Sequence, residues 1–229
     1  MKEALKQDTE MSISGSLSRR KFLNYAGAVA GAGILIASCK KDETTAAASE
    51  DAVELGSNDT GLLNLAYLLK QLSAAFYIQV LKSPYPGITD TERGFFMAMR
   101  DHSIAHREVL KNYLAADGIP TLENDWTTVD FSLKNSVLSK VQLIEETNTA
   151  GMCDICRLIS SSDHLNVLSK MAMVDARHSA VANDFIYLGA FSYQADDNGM
   201  QIASDPQNTL EVVRKFFKKK LSGIYLPKY

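Results

Sequence analysis

The chain predicts an all-α fold, a four-helix bundle, on three observations. Strand signals are almost absent between residues 59 and 190. Four stretches of roughly 20 to 30 residues there carry apolar residues at helical spacing. Short turns join them in pairs, and the longest link falls between the second and third. That layout argues for an up-down bundle or its one-crossover relative.

Each element has its own signals. Over residues 60–81 the apolar positions Leu62, Leu65, Ala66, Leu69, Phe76 and Val80 form a stripe, interrupted by the polar Ser73. Asp59 or Thr60 is expected to cap this helix, and Ser83-Pro84-Tyr85-Pro86-Gly87 ends it. A second helix is expected over 89–116, stopped by Asp117-Gly118-Ile119-Pro120. The long connection passes Trp126 and reaches Asp130. A third helix is expected over 131–159. Ser160-Ser161-Ser162-Asp163 then turns the chain and caps a fourth over 164–189.

Past the bundle, residues 191–207 are polar and read as loop. Residues 208–221 read as an amphipathic helix. Leu210, Val213, Phe216, Phe217 and Leu221 are its apolar members, among Arg214, Lys215, Lys218, Lys219 and Lys220. Such a helix either lies on anionic lipid or docks its apolar face on the parent domain. Docking is the preferred expectation.

The N-terminus carries targeting signals. Ser18-Arg19-Arg20-Lys21-Phe22-Leu23 resembles the twin-arginine export motif, with Arg19 and Arg20 as its centre. A run of small apolar residues follows, and Ile36-Ala37-Ser38-Cys39 resembles a lipobox, the signal for cleavage before a cysteine and its acylation. The apolar run is shorter than the roughly 20 residues that a membrane-spanning helix needs. Residues 1–38 are therefore expected to be a signal peptide, with Cys39 lipidated. Residues 39–58 begin Cys39-Lys40-Lys41-Asp42-Glu43, continue rich in Thr, Ala, Ser and Glu, and read as a flexible tether. The Lys-then-acidic run resembles a surface-export signal of outer-membrane lipoproteins. The expected location is outside the cytoplasm of a Gram-negative bacterium, in the periplasm or at the cell surface, with the membrane as partner through the lipid anchor. Residues 59–190 form the bundle and 191–229 the C-terminal loop and docking helix.

The formal net charge of −3 over the whole chain gives no reason to propose nucleic acid as a partner. With Cys39 assigned to lipid, Cys153 and Cys156 remain. They admit a disulfide, which an oxidising compartment allows, or two small residues on a buried helix face. The second reading is preferred, because a redox pair needs a βαβ context that is not visible.

Several segments together resemble bacterial ferritin-like domain proteins of the desiccation-related type. They are Leu62-Leu63-Asn64-Leu65-Ala66 with Leu72-Ser73-Ala74-Ala75-Phe76-Tyr77, then Asp101-His102 with His106. Leu143-Ile144-Glu145-Glu146-Thr147 and Val174-Asp175-Ala176-Arg177-His178 complete the set. The resemblance covers about residues 59–190. It implies a ferritin-like bundle and, in the family, a di-metal centre built from carboxylates and histidines on four facing helices.

That pattern transfers only in part. Lys70 and Ser73 stand where the first helix usually carries glutamates. Ser103 stands at the Glu of Glu-x-x-His in the second, whose histidine is His106. Glu145 is the counterpart in the third, with Glu146 next if the register shifts by one. In the fourth, Asp175 replaces Glu and His178 is kept. His102, one turn before His106, is an additional ligand position on the same helix face and is expected to be exposed. The resemblance thus leaves His106, Glu145, Asp175 and His178 as metal ligands. Two carboxylates and two histidines suit no metal, or a single iron, manganese or zinc, better than a full di-iron site. Lys70 either enters the cavity and pairs with Asp175 or Glu145, or flanks the core and reaches solvent. The expected role is structural or binding and non-catalytic. The competing expectation is a single-metal or di-metal protein with oxidase, ferroxidase or catalase-like activity.

Overall fold

The computed structural model describes residues 51–228. The export motif at Arg19 and Arg20, the signal segment 1–38, Cys39 and most of the tether lie outside the described residues. Among the described residues the order is β1 (Val53–Glu54), α1 (Asn58–Lys82), α2 (Asp90–Leu114), α3 (Lys134–Leu158), α4 (Ser162–Ile186), α5 (Pro206–Val213) and β2 (Leu221–Ser222). Helices α1 to α4 make the expected all-α, ferritin-like bundle. α1 packs chiefly on α2, α3 chiefly on α4, and α1 joins the two pairs by its contact with α3. Of the four neighbouring helix pairs, α2 and α4 pack most sparsely on each other.

Local chemistry sets the helix ends. Thr89 caps α2 through a capping box. Its hydroxyl accepts from the Glu92 main-chain N–H at 3.1 Å, and the Glu92 carboxylate accepts from the Thr89 N–H at 2.8 Å. Lys134 at the start of α3 reaches the same carboxylate at 2.6 Å. Ser161 caps α4. Asp205 caps α5, which has Pro206 in its first turn, where a missing N–H costs nothing. At α1 the cap position falls on Ser57 rather than Asp59 or Thr60. Asp59 is used elsewhere. Its carboxylate accepts from the main-chain N–H groups of Ser160 and Ser161 at 2.8 and 2.9 Å, tying α1 to the α3–α4 turn.

α1 departs from a simple stripe. Leu63, Tyr67, Leu68 and Leu72 are buried along with the predicted face. A helix that is apolar all round is buried all round. The far side of α1 is covered by α5 and the chain around it. Each fully buried Leu or Phe here contributes roughly 1.5–3 kcal/mol.

The tail differs from the single amphipathic helix expected over 208–221. α5 ends at Val213, a 3₁₀ turn spans Arg214–Phe216, and the chain then extends into β2. Leu210, Val213, Phe216 and Phe217 are buried against the bundle. Gly151 of α3 makes room for α5: a Cβ there would lie 2.7 Å from Thr209 Cγ2. β2 pairs in parallel with β1, Val53 opposite Leu221, so the chain entering the domain lies beside the chain leaving it. The long α2–α3 connection binds the tail too. Asp125 N–H donates to Phe216 O and Lys218 N–H to Glu123 O, while Trp126 packs on Phe76, Phe131 and Phe216. No described helix is long and apolar enough to cross a membrane.

Candidate functional site

The bundle brings all four predicted ligands to its centre, in two layers. In the upper layer Lys70 of α1 points inward. Its ammonium lies 2.5 Å from Asp175 Oδ2 of α4, and both side chains are almost wholly buried. The other oxygen, Asp175 Oδ1, lies 4.0 Å from His106 Nδ1 of α2. Burial pushes the Asp175 carboxyl up, and the Lys70 ammonium offsets part of that rise. Burial, then the same ammonium, holds the His106 imidazole down to about 3, so His106 is neutral at physiological pH.

In the lower layer Glu145 of α3 is completely buried and is the glutamate that faces the centre. Glu146 is only partly buried and accepts from Gln142 one turn back. The Tyr77 hydroxyl donates to Glu145 Oε1 at 2.7 Å. Glu145 Oε2 lies 3.5 Å from His178 Nδ1. Burial alone would raise the Glu145 carboxyl. The His178 imidazole and the Tyr77 hydroxyl outweigh it and bring the group below its ordinary value. The Tyr77 phenol is pushed well up, by burial first and the Glu145 charge second.

His102 is exposed, as expected, but it is not alone. Its Nδ1 lies 3.0 Å from His178 Nε2. The ring planes are within 9° of parallel and the centroids are 5.3 Å apart. The nitrogens are about as close as that centroid distance permits. The rings therefore lie edge to edge in nearly one plane, joined by a hydrogen bond, rather than face to face. This pair bridges α2 and α4, which otherwise pack sparsely on each other. It links solvent to Glu145 through His178.

Two positions are silent as ligands for a visible reason. The Ser103 hydroxyl donates back to Met99 O at 2.7 Å on its own helix. The Ser73 hydroxyl donates to Leu69 O at 3.1 Å and accepts from Asn148 Nδ2 at 2.7 Å. Asn148 and Tyr77 are participants that the sequence reading missed. Tyr77 follows Lys70 and Ser73 by seven and four residues, and Asn148 follows Glu145 by three. Helical spacing alone places each on the inward face.

Among the described residues, no three His, Cys, Asp or Glu side chains converge in a group able to hold a metal ion. The Nδ1 atoms of His106 and His178 are buried with no hydrogen-bond partner. Cys153 and Cys156 are free thiols, half-buried on α3. Burial, then the neighbouring Cys153, pushes the Cys156 thiol up to about 11.

Four helices with a polar centre, one crossover between α2 and α3, and histidines facing carboxylates define a ferritin-like domain. The chain belongs to that family: the ferritin-like domain model matches residues 58–188. No curated protein matches it.

Proposed function

We propose that this is a non-catalytic, membrane-tethered envelope lipoprotein of the desiccation-related ferritin-like type, in which a lysine has taken the place of the metal. It carries a structural or binding role. The observation that carries the reading is the Lys70 ammonium 2.5 Å from Asp175, with both side chains buried. A di-iron centre needs enough carboxylates to neutralise two dications. This centre has two, and one of them is already neutralised by an internal cation. Lys70 would also repel any metal placed between Asp175 and His106. The residues present therefore do not fit a di-metal group, and no reaction step is derived through one. The sequence signals at Arg19, Arg20 and Cys39 support export and lipid anchoring.

One observation favours a second reading. The unpartnered Nδ1 atoms of His106 and His178 each face a carboxylate. With Lys70 turned aside, His106, Glu145, Asp175 and His178 would offer two nitrogen and two carboxylate donors to one iron, manganese or zinc. Elemental analysis of the purified full chain, grown with iron and manganese in excess, separates the readings. The expected result is no stoichiometric metal. Stoichiometric metal that disappears in His106→Ala and His178→Ala variants overturns the proposal.

A further inference from the structure

The tail builds a second polar feature, far from the bundle centre in character. An open cavity of about 630 Å³ is lined by Arg214, Lys215, Lys218, Lys219 and Lys220, one carboxylate, Glu211, and Ala52 from the incoming chain. All five cations are exposed. Arg214 is paired with Glu211 at 2.8 Å and Lys218 with Glu123. Among the described residues no carboxylate pairs with Lys215, Lys219 or Lys220. The apolar residues between them, Val213, Phe216, Phe217 and Leu221, are buried. This arrangement holds the cations outward on a fixed backbone rather than on a free tail.

We infer that this groove docks on the phosphate-bearing headgroups of an anionic bilayer, the membrane to which Cys39 would anchor the chain. The inference rests on the lipoprotein reading for the identity of that membrane. Two observations select the occupant. The first is charge: three uncompensated lysines around one cavity complement phosphate-rich headgroups. The second is where the leading chain enters. Ala52 lines the groove, and Cys39 precedes it by about a dozen residues. A linker of that length with random-coil statistics would have a root-mean-square span of about 20 Å. An acyl chain on Cys39 would therefore hold the groove within reach of headgroups. A lipobox cysteine carries two or more acyl chains, enough for stable anchoring by themselves, so the basic groove would set how the domain lies on the surface rather than whether it stays there. Each lysine near an anionic surface strengthens binding about fivefold.

The test uses the full chain purified from host membranes and reconstituted in vesicles. A membrane-impermeant amine-acetylating reagent then reports each lysine by mass spectrometry. Vesicles of phosphatidylcholine alone are compared with equimolar phosphatidylcholine and phosphatidylglycerol. The expected result is that Lys215, Lys219 and Lys220 are labelled several-fold more slowly in the anionic vesicles. Labelling of Lys111 and Lys170 is unchanged, and high salt removes the protection. Equal labelling in both vesicles overturns the inference. So does equal protection by inorganic phosphate in detergent without vesicles, which would mark a site for a free anion. Protection by an acidic protein in place of lipid overturns it as well. The Cys39 peptide in the same digest shows whether it is acylated. An unacylated Cys39 with protected lysines sinks the lipoprotein reading and leaves the docking surface standing. Acylation without protection does the reverse.

Discussion

Lys70 and Lys219 carry the same side chain and have opposite uses. Lys70 sits inside the bundle, where an unpaired ammonium would be prohibitively costly, and its charge is spent on Asp175. Lys219 stands exposed on the rim of the tail cavity, with no carboxylate paired to it among the described residues. The comparison shows that a charge's partner, more than its identity, separates an internal brace from a surface that can recruit something outside the molecule. An interior charge is matched within the fold. A rim charge is left to solvent, where the proposed docking surface would use it.

The sharpest way to break that comparison is to remove the interior ammonium. Lys70→Ala leaves Asp175 buried without its cation and is expected to destabilise the domain by about 3–5 kcal/mol in urea unfolding. A Lys70→Met, Asp175→Leu double variant removes both charges at similar volume and is expected to recover most of that loss. A double variant no more stable than the single one would show that the pair is not the brace described.

The tail scaffold is the next target. Gly151→Ala puts a methyl group into the space held by Thr209 and is expected to cost about 1–3 kcal/mol. Hydrogen exchange should show the loss concentrated in α5 and the basic rim, with the bundle centre unmoved.

A pH series sharpens the interior half. His106 is held neutral in the folded state, down to about 3, while unfolded histidine titrates near 6.5. As pH falls through 6.5 the unfolded chain gains a proton that the folded chain refuses, so stability is lost on acidification. At pH 5 this loss amounts to about 2 kcal/mol for one such group. Asp175, raised by burial, acts in the opposite sense. The measurement is therefore the difference between the wild-type chain and His106→Gln, whose melting temperature should fall less steeply between pH 7 and pH 5. Parallel curves would exclude His106 as the group responsible.

The smallest effect lies away from both regions. Thr89→Ala removes one half of the α2 capping box and is expected to cost about 1 kcal/mol, read from the urea midpoint. It sets the scale against which the charge variants are judged.

Much of this molecule was legible in its sequence. The four helices, the crossover and the family follow from apolar spacing, turn residues and the segments around His106, Glu145 and His178. The inward face of the centre was legible only in part: Lys70, Ser73 and Tyr77 share one helical phase, yet Tyr77 went unread as a member of the site. The direction of Lys70 was not. A lysine beside an apolar stripe can run along the surface or turn inward, and only the position of Asp175 across the bundle decides between them. His102 was hidden for the same reason: its partner comes from another helix, 76 residues later. The tail was misread where local pattern and tertiary context disagree. Residues 208–221 have the composition of one amphipathic helix, but pairing of Leu221 and Ser222 with Val53 and Glu54 draws the last part into extended chain.

That parallel pairing has a mechanical side. Val53 N–H donates to Lys220 O and Leu55 N–H to Ser222 O, so two main-chain hydrogen bonds cross from the leading strand to the trailing one. A pull along the leading strand loads both in shear, and they must yield together rather than unzip in turn. Traction from an anchor upstream would reach the bundle only after that clasp has failed. The four helices are in this way insulated from the leash that is expected to hold them.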